Sequence, residues 1–349
     1  MVQHQFFLKR CIELARLGAG SVSPNPMVGS VIVCDDQIIG EGYHMAYGQA
    51  HAEVNAIRNV FENHANAKEL LKRSTIYVNL EPCSHFGKTP PCADLIISNE
   101  IPRAVIGCRD PFDQINGKGI EKLKNAGIEV IENILTDKCL DLNKRFFTRI
   151  QKQRPYIILK WAQTTNGYFS PLDQSQKWIS SKEAKQLVHR WRSEEDAVLV
   201  GKNTALADDP KLNVRDWSGR DPVRIVIDRR LELPTDLNVF DQTQNTIIFN
   251  NIKTDIVGKI KYLELEDFDN LLPQLIAYQL YLMDIQSLIV EGGSKTLNLF
   301  LASGLWDEAR VFISPQTWED GILAPELKGN ASEVQNIGPD ILKIWHNKT

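Results

Sequence analysis

Between Gly48 and Cys92 the chain spaces one imidazole and two thiols in a way few folds can use. His51 lies in Gly48-Gln49-Ala50-His51-Ala52-Glu53, Cys83 in Glu81-Pro82-Cys83, and Cys92 in Pro90-Pro91-Cys92. The three side chains make a ligand set for zinc, and a tetrahedral ion with three protein ligands keeps its fourth position for water. Glu53, two residues past the imidazole, can stand beside the ion without binding it. A metal that lowers the pKa of its water to roughly 7, with a carboxylate at hand to move protons, suits hydrolysis. The plainer reading is a structural site with four protein ligands, completed by His44 or His85.

The flanking residues favour the first reading. Apolar alternation in Thr75-Ile76-Tyr77-Val78-Asn79-Leu80 predicts a buried strand, with Cys83 just past its end. Cys92 opens the helical run Ala93–Ser98, and His51 opens an amphipathic run through Ala56, Ile57 and Val60. Two helix N-termini therefore point at the metal, where their positive ends favour thiolate and hydroxide. A His-x-Glu with a later pair of cysteines resembles the zinc-dependent base deaminases, in which the non-ligand Glu carries protons to the leaving amine. Those enzymes usually place two residues between the cysteines, whereas here residues 84–91 intervene. The longer loop carries His85 and Lys88, which either meet an anionic substrate group or face solvent.

A chain of 349 residues suits two domains, and 43% hydrophobic with 24% charged residues lets each bury a core. The net charge of −4, without a long basic run, counts against a nucleic-acid-binding surface. Apolar stretches end well short of the ~20 residues a membrane span needs. The first ten residues lack the charged-then-apolar order of a signal peptide. Cys11, Cys34, Cys108 and Cys139 sit in apolar surroundings and are expected as buried free thiols, which suits a reducing cytoplasm.

Helical spacing predicts a helix over residues 4–18, ended by Gly18 and Gly20. Ser23-Pro24-Asn25-Pro26-Met27-Val28-Gly29 is a rigid loop into the strand Ser30–Val33. Its prolines either present the Asn25 amide to a ligand or simply shape the turn. Ile38–Gly42 continues as a hairpin partner, and Gly42-Tyr43-His44-Met45 brings His44 back towards the metal helix. Strands at Arg103–Gly107 and Ile128–Ile131 alternate with helices over 118–126 and 136–150, predicting a three-layer α/β/α domain that ends near residue 147. The join at Arg145–Pro155 has no Gly/Ser-rich tether.

Pro155–Ala162 opens a second sheet, continued by Ala197–Gly201, Val223–Asp228, Thr246–Phe249 and Ser287–Val290. A helix is expected over 181–193 with Ser180 or Ser181 as N-cap, and a helix-loop follows Asp307. Glu291-Gly292-Gly293-Ser294-Lys295-Thr296 links the last of these strands to a helix. Such a turn suits a phosphate, though a tight strand-to-helix turn needs glycine anyway. No Gly-x-Gly-x-x-Gly follows a strand, so an ordinary Rossmann site is not expected.

Several motifs together resemble the bifunctional deaminase–reductase family of bacterial riboflavin biosynthesis. In the first half they are Ser23-Pro24-Asn25-Pro26 with Val28-Gly29, Gly42-Tyr43-His44, His51-Ala52-Glu53 and the run Glu81–Cys92. In the second half they are Lys160 with Asn166-Gly167, Lys177-Trp178-Ile179, Arg192, Gly201 with Asn203-Thr204, Ala207–Pro210, Leu212, Arg215 and Glu291-Gly292-Gly293. The resemblance implies an α/β chain with two parts. Residues 1–147 would be a cytidine-deaminase-like α/β/α domain, and residues 152–349 a dihydrofolate-reductase-like domain using NADPH. One zinc ion would be held by His51, Cys83 and Cys92, with Glu53 as proton carrier. Asn25, His44 and His85 would line the deaminase pocket for a phosphorylated ribosylaminopyrimidine. Trp178, Thr204, Asp208, Gly293, Ser294, Lys295 and Thr296 would meet NADPH. Independently of the resemblance, Arg229 just past Asp228 at a strand end is expected at the cofactor's 2′-phosphate. Lys160, Gln176, Arg192, Leu212, Arg215 and Glu291 would meet the reductase substrate, Arg192 and Arg215 gripping its 5′-phosphate. A cytoplasmic homo-oligomer, dimer or tetramer, touching neither nucleic acid nor membrane, is expected.

The chain departs from the family pattern at Asp110-Pro111-Phe112-Asp113, where Asp-Pro-Asn-Pro is usual, at Gln176, where Ser is usual, and around Thr317–Gly321. Two other readings compete. The Gln176 change motivates a deaminase whose reductase-like half is inactive. The other is a nucleic-acid-editing deaminase with a binding module, against which the acidic balance weighs.

Overall fold

A computed structural model describes residues 2–84, 90–112, 116–172 and 179–347. It divides into two compact units, Met1–Gln153 and Arg154–Thr349.

The first unit is built on a sheet of β1 (Gly29–Cys34), β2 (Gln37–Tyr43), β3 (Thr75–Leu80), β4 (Arg103–Cys108) and β5 (Glu129–Ile131) in the order β2-β1-β3-β4-β5. β1 runs antiparallel to β2 and β3, whereas β3, β4 and β5 are mutually parallel. Strands buried on both faces read as near-continuous apolar runs, and here alternate residues serve different helices. Val31, Val33, Tyr77 and Val105 pack on α1 (Val2–Arg16) through Phe7, Leu8, Cys11 and Leu14. Ile32, Ile76, Val78, Ala104 and Ile106 pack on α2 (Ala52–Asn63), α3 (Ala67–Leu71), α4 (Cys92–Ser98) and α5 (Lys118–Asn125). This is the expected three-layer arrangement. Cys11, Cys34, Cys108 and Cys139 are free and buried.

The single helix expected over 136–150 is instead two, α6 (Thr136–Leu142) and α7 (Lys144–Lys152). Asn143 separates them at φ −104°. Its carboxamide is turned onto Met27, Oδ1 accepting from the Met27 N–H at 2.8 Å and Nδ2 donating to the Met27 carbonyl at 2.9 Å. A buried amide that satisfies a distant backbone in this way outweighs one more intrahelical bond.

The second unit contains β6 (Tyr156–Thr164), β7 (Tyr168–Ser170), β8 (Ala197–Gly201), β9 (Val223–Ile227), β10 (Thr246–Asn250), β11 (Asp255–Val257), β12 (Ile260–Glu264), β13 (Ser287–Val290), β14 (Glu308–Ser314), β15 (Ile322–Leu323), β16 (Glu333–Ile337) and β17 (Asp340–His346). All but β7 and β15, which pair with each other, join one ten-stranded sheet in the order β11-β12-β10-β9-β8-β13-β6-β14-β17-β16. From β12 to β14 every neighbour is parallel. The C-terminal ends of β8, β13 and β6 therefore lie along one edge, where ligands of open α/β sheets bind. One face of this sheet packs on α10 (Leu272–Leu282) and α11 (Ser294–Ser303), and the other on α8 (Lys182–Glu194) and α9 (Lys202–Asp208). Ser181 is the N-cap of α8, its hydroxyl accepting from the Ala184 N–H at 3.2 Å. The helix-loop expected after Asp307 begins instead as β14. Its alternate residues feed both cores, Ala309 and Val311 one and Phe312 the other.

Candidate active sites

In the first unit, His51 is the N-cap of α2 and Cys92 the first residue of α4, so both stand at helix starts as the sequence predicts. His51 Nδ1 lies 3.3 Å from Cys92 Sγ and 3.7 Å from Cys83 Sγ. All the candidate ligand atoms fall within 4.8 Å of one another. Around tetrahedral zinc, ideal bond lengths put a nitrogen and a sulfur roughly 3.6 Å apart, so this geometry fits the ion. The Cys92 N–H donates to Cys83 Sγ at 3.3 Å, and the Ala93 N–H to the Cys83 carbonyl at 3.1 Å. The hydrogen bond with Cys92, with His51 also beside it, lowers the Cys83 pKa to about 4. Its proximity to Cys83 and its own burial push Cys92 up, a conflict that a dication between the sulfurs removes.

Glu53 is 3% exposed in the first turn of α2, and burial pushes its carboxyl up. His44 does not complete the ligand set. Its Nδ1 is 3.1 Å from the Ala50 carbonyl and so carries the proton, leaving Nε2 to accept from Asn25 Nδ2 at 3.0 Å. Its ring stands edge-on to His51, centroids 5.4 Å apart. Asn25, His44, His51 and Glu53 are thus brought together, while His85 and Lys88 lie outside the described residues.

Two supports were not singled out from sequence. Asn79 on β3 accepts from the Gly29 N–H at 2.7 Å and donates to the Met27 carbonyl at 3.1 Å, pinning the loop that carries Asn25. Buried Glu81 accepts from the N–H groups of Asp110 (3.3 Å), Gly117 (3.0 Å), Gly119 (3.0 Å) and Ile120 (3.2 Å). It ties the segment beside Cys83 to the start of α5. Its place next to Pro82-Cys83 is the only signal the sequence offers. A Cβ on Gly119 would lie 2.1 Å from the Pro82 carbonyl oxygen. Gly119→Ala is therefore expected to displace Cys83, destabilising by about 1–3 kcal/mol. Thermal melts and zinc content measure both effects, and an unchanged melting point with full zinc would contradict this.

In the second unit, Gly201 at the end of β8, Thr204 on α9 and Gly292, Gly293 and Thr296 after β13 converge. A Cβ on Gly201 would come within 2.5 Å of Thr296 Oγ1, one on Gly292 within 3.0 Å of Thr204 Cγ2, and one on Gly293 within 3.1 Å of Thr204 Oγ1. Gly293 has φ +71° and is the N-cap of α11, where as a glycine it brings no side-chain cap. Glycine at these positions lets the two turns meet and leaves the first turn of α11, with Ser294 and Lys295, open to an anion. The residues present therefore fit a phosphate-bearing cofactor. Asp208 is exposed at the end of α9, Leu212 is buried at φ +52°, and Gln176 and Trp178 lie outside the described residues.

Beside that crevice is a buried charge cluster. Arg192 Nε and Nη2 each donate to Glu291 at 2.7 Å, Arg192 Nη1 donates to the Asn213 carbonyl at 3.2 Å, and Lys160 Nζ is 3.9 Å from Glu291. Burial alone would raise the Glu291 carboxyl, but Arg192 and Lys160 hold it at about 2. Burial lowers Lys160, with Glu291 opposing. The fork of Arg192 is turned to Glu291, whereas Arg215 is exposed, its Nη1 donating to Asn213 Oδ1 at 3.1 Å. Arg229, also exposed, forms a bidentate pair with Asp269 at 2.7 and 2.9 Å.

Residues 1–108 match the cytidine and deoxycytidylate deaminase zinc-binding region, and residues 155–318 the RibD C-terminal domain. The riboflavin biosynthesis protein RibD of Aquifex aeolicus is 40% identical, the match covering 96% of each chain. The chain belongs to the RibD family. The Escherichia coli RibD protein is 33% identical over 97% of this chain and 98% of its own. A crystal structure of a diaminohydroxyphosphoribosylaminopyrimidine deaminase/5-amino-6-(5-phosphoribosylamino)uracil reductase from Thermotoga maritima is 36% identical, with TM-score 0.90 over 99% of both chains. Acinetobacter baumannii RibD gives TM-score 0.89 at 32% identity, covering 100% of this chain and 99% of its own. As a RibD family member the chain is a bifunctional enzyme of riboflavin biosynthesis, a zinc-dependent deaminase joined to a dihydrofolate-reductase-like domain that uses NADPH. Among the described residues no helix is long and apolar enough to cross a membrane.

Proposed function

We propose that the first unit deaminates 2,5-diamino-6-ribosylamino-4(3H)-pyrimidinone 5′-phosphate, and that the second reduces the ribosyl group of 5-amino-6-(5-phosphoribosylamino)uracil to ribityl. The observation that carries this reading is the convergence of His51, Cys83 and Cys92, with Glu53 buried in the same helix turn. These ligands would hold zinc, which when bound supplies an activated water. Glu53 carries the protons of the attacking water, one to the ring nitrogen and one to the leaving amine, so that a C–N bond breaks, a C=O bond forms and ammonia leaves. His44, neutral and fixed by Ala50, orients the Asn25 carboxamide towards the pyrimidine.

NADPH when bound would supply hydride for reduction at the sugar C1′, where the bond to the ring oxygen breaks and that oxygen takes a proton. The first turn of α11, with Gly293, Ser294, Lys295 and Thr296, would hold a cofactor phosphate, and Thr204 packs against that turn. Glu291 holds the Lys160 ammonium and Arg192 at the edge where β6 and β13 end. Arg215 takes the ribose 5′-phosphate, for which a planar guanidinium offers bidentate donors. The buried Lys160–Glu291–Arg192 cluster supports a working reductase over an inactive half, since a paired buried charge cluster is often no more stabilising than an apolar core of the same volume.

Chelation separates the two activities. Removing zinc is expected to stop ammonia release while NADPH oxidation on supplied deaminated intermediate continues. Ammonia release that survives complete metal removal would refute the first half, and no NADPH oxidation by the untreated chain would refute the second.

A further inference from the structure

His189 lies in α8 one helical turn before Arg192 and is 1% exposed. Both of its ring nitrogens face the segment that follows Leu212. The Arg215 N–H donates to Nδ1 at 3.4 Å, so the ring proton is on Nε2, which stands 3.4 Å from Asp216 Oδ2. The rest of that segment is fastened to the same helix. Arg192 Nη1 donates to the Asn213 carbonyl at 3.2 Å, and the Arg190 guanidinium lies over the Trp217 ring at 5.8 Å. A Cβ on Gly219 would stand 2.5 Å from the Ser193 Cβ. Leu212 enters the segment at φ +52°, a left-handed conformation that a leucine holds only when its surroundings enforce it.

The arrangement needs a group that accepts from a backbone N–H on one side and donates to a carboxylate on the other, which neutral imidazole does. Burial first, then the charges of Arg192 and Arg215, lower the His189 pKa to about 4, so the ring stays neutral through the neutral range, and the Arg215 N–H at Nδ1 sets its tautomer. Alanine would leave the Arg215 N–H and Asp216 without this partner and the ring volume empty.

We infer that His189 is a positioning residue for the reductase: its imidazole fixes the backbone of Arg215 and so aims that guanidinium at the substrate's 5′-phosphate. The inference rests on the assignment of Arg215 to that phosphate. It makes His189 act on substrate affinity through Arg215, without touching the reacting atoms.

Asparagine can place its amide oxygen near the position of Nδ1 and keep the Arg215 bond, whereas glutamine reaches towards Nε2 and does not. His189→Ala and His189→Gln are expected to raise the KM for the phosphorylated intermediate roughly tenfold, the size of one lost hydrogen bond of about 1.4 kcal/mol. His189→Asn should stay within about threefold of wild type, and kcat should change little in all three. With the dephosphorylated intermediate, the KM values of the His189 variants and wild type should coincide. Arg215→Ala, assayed alongside, distinguishes the two layers. If it leaves KM unchanged, the phosphate assignment fails and the inference with it. If it raises KM while His189→Ala does not, the inference alone fails. If asparagine and glutamine behave alike, the ring merely fills space and the positioning role is overturned. Thermal melts of the same preparations, together with the unchanged kcat for NADPH oxidation, show that the second unit of each variant is folded.

Discussion

Glu53→Gln is expected to suppress ammonia release by roughly 10²–10⁴-fold, the range that a positioned proton carrier contributes. The same variant should keep its zinc and oxidise NADPH normally when given the deaminated intermediate. The argument is positional. Glu53 sits two residues past His51 in the first turn of α2, is 3% exposed, and does not belong to the convergent ligand group. An amide of the same shape fills the same space and accepts hydrogen bonds, but it cannot carry a proton away from water. Metal analysis, an ammonia assay and NADPH absorbance on one preparation decide the matter. A variant that loses zinc would show Glu53 to be a ligand, and one that releases ammonia at the normal rate would show that the protons travel elsewhere.

Glu291→Ala should have the second large effect, on stability and reduction together. Glu291 stands between buried Arg192 and Lys160, and removing it leaves both cations without their carboxylate. Breaking one partner out of a buried ion pair is destabilising by about 3–5 kcal/mol. NADPH oxidation should be lost, while ammonia release, which belongs to the first unit, should survive at temperatures where the second unit is still folded. The pH dependence has a definite sign. A carboxyl at about 2 in the folded chain, against 4.5 ordinarily, binds fewer protons folded than unfolded between those values. Its contribution, on the order of 3 kcal/mol, is fully present above the ordinary pKa and is lost as the pH falls through the folded one. Urea midpoints of wild type and Glu291→Gln should therefore lie far apart at pH 6 and converge as the pH approaches 2. A gap that stays constant with pH would mean that the charge of Glu291 is not what stabilises this cluster.

The two sites were legible in the sequence to different degrees. Short-range chemistry determined the zinc site. His51 and Glu53 are fixed relative to each other by one helix turn, and the cysteines by a strand end and a helix start, so spacing alone predicts where they meet. In the second unit the glycine turn after Val290 was a weak signal by itself, since any tight strand-to-helix turn needs glycine. The family resemblance pointed to Thr204 and the 293–296 loop, and the fold brought Gly201, Thr204, Gly293 and Thr296 together. The sequence also determined the layering, because β1, β3 and β4 are apolar on both faces and need helices on both.

What only the tertiary structure decided concerns polar groups whose partners are far along the chain. Nothing local says that Asn143 will break a helix to hold Met27, that Glu81 will collect N–H groups from the 110–120 segment, or that Arg192 will turn its fork to Glu291, 99 residues away. Apolar burial is patterned by period and so can be read from neighbours in sequence. A buried hydrogen bond or ion pair is directional and pairwise, and its partner exists only once the fold has closed.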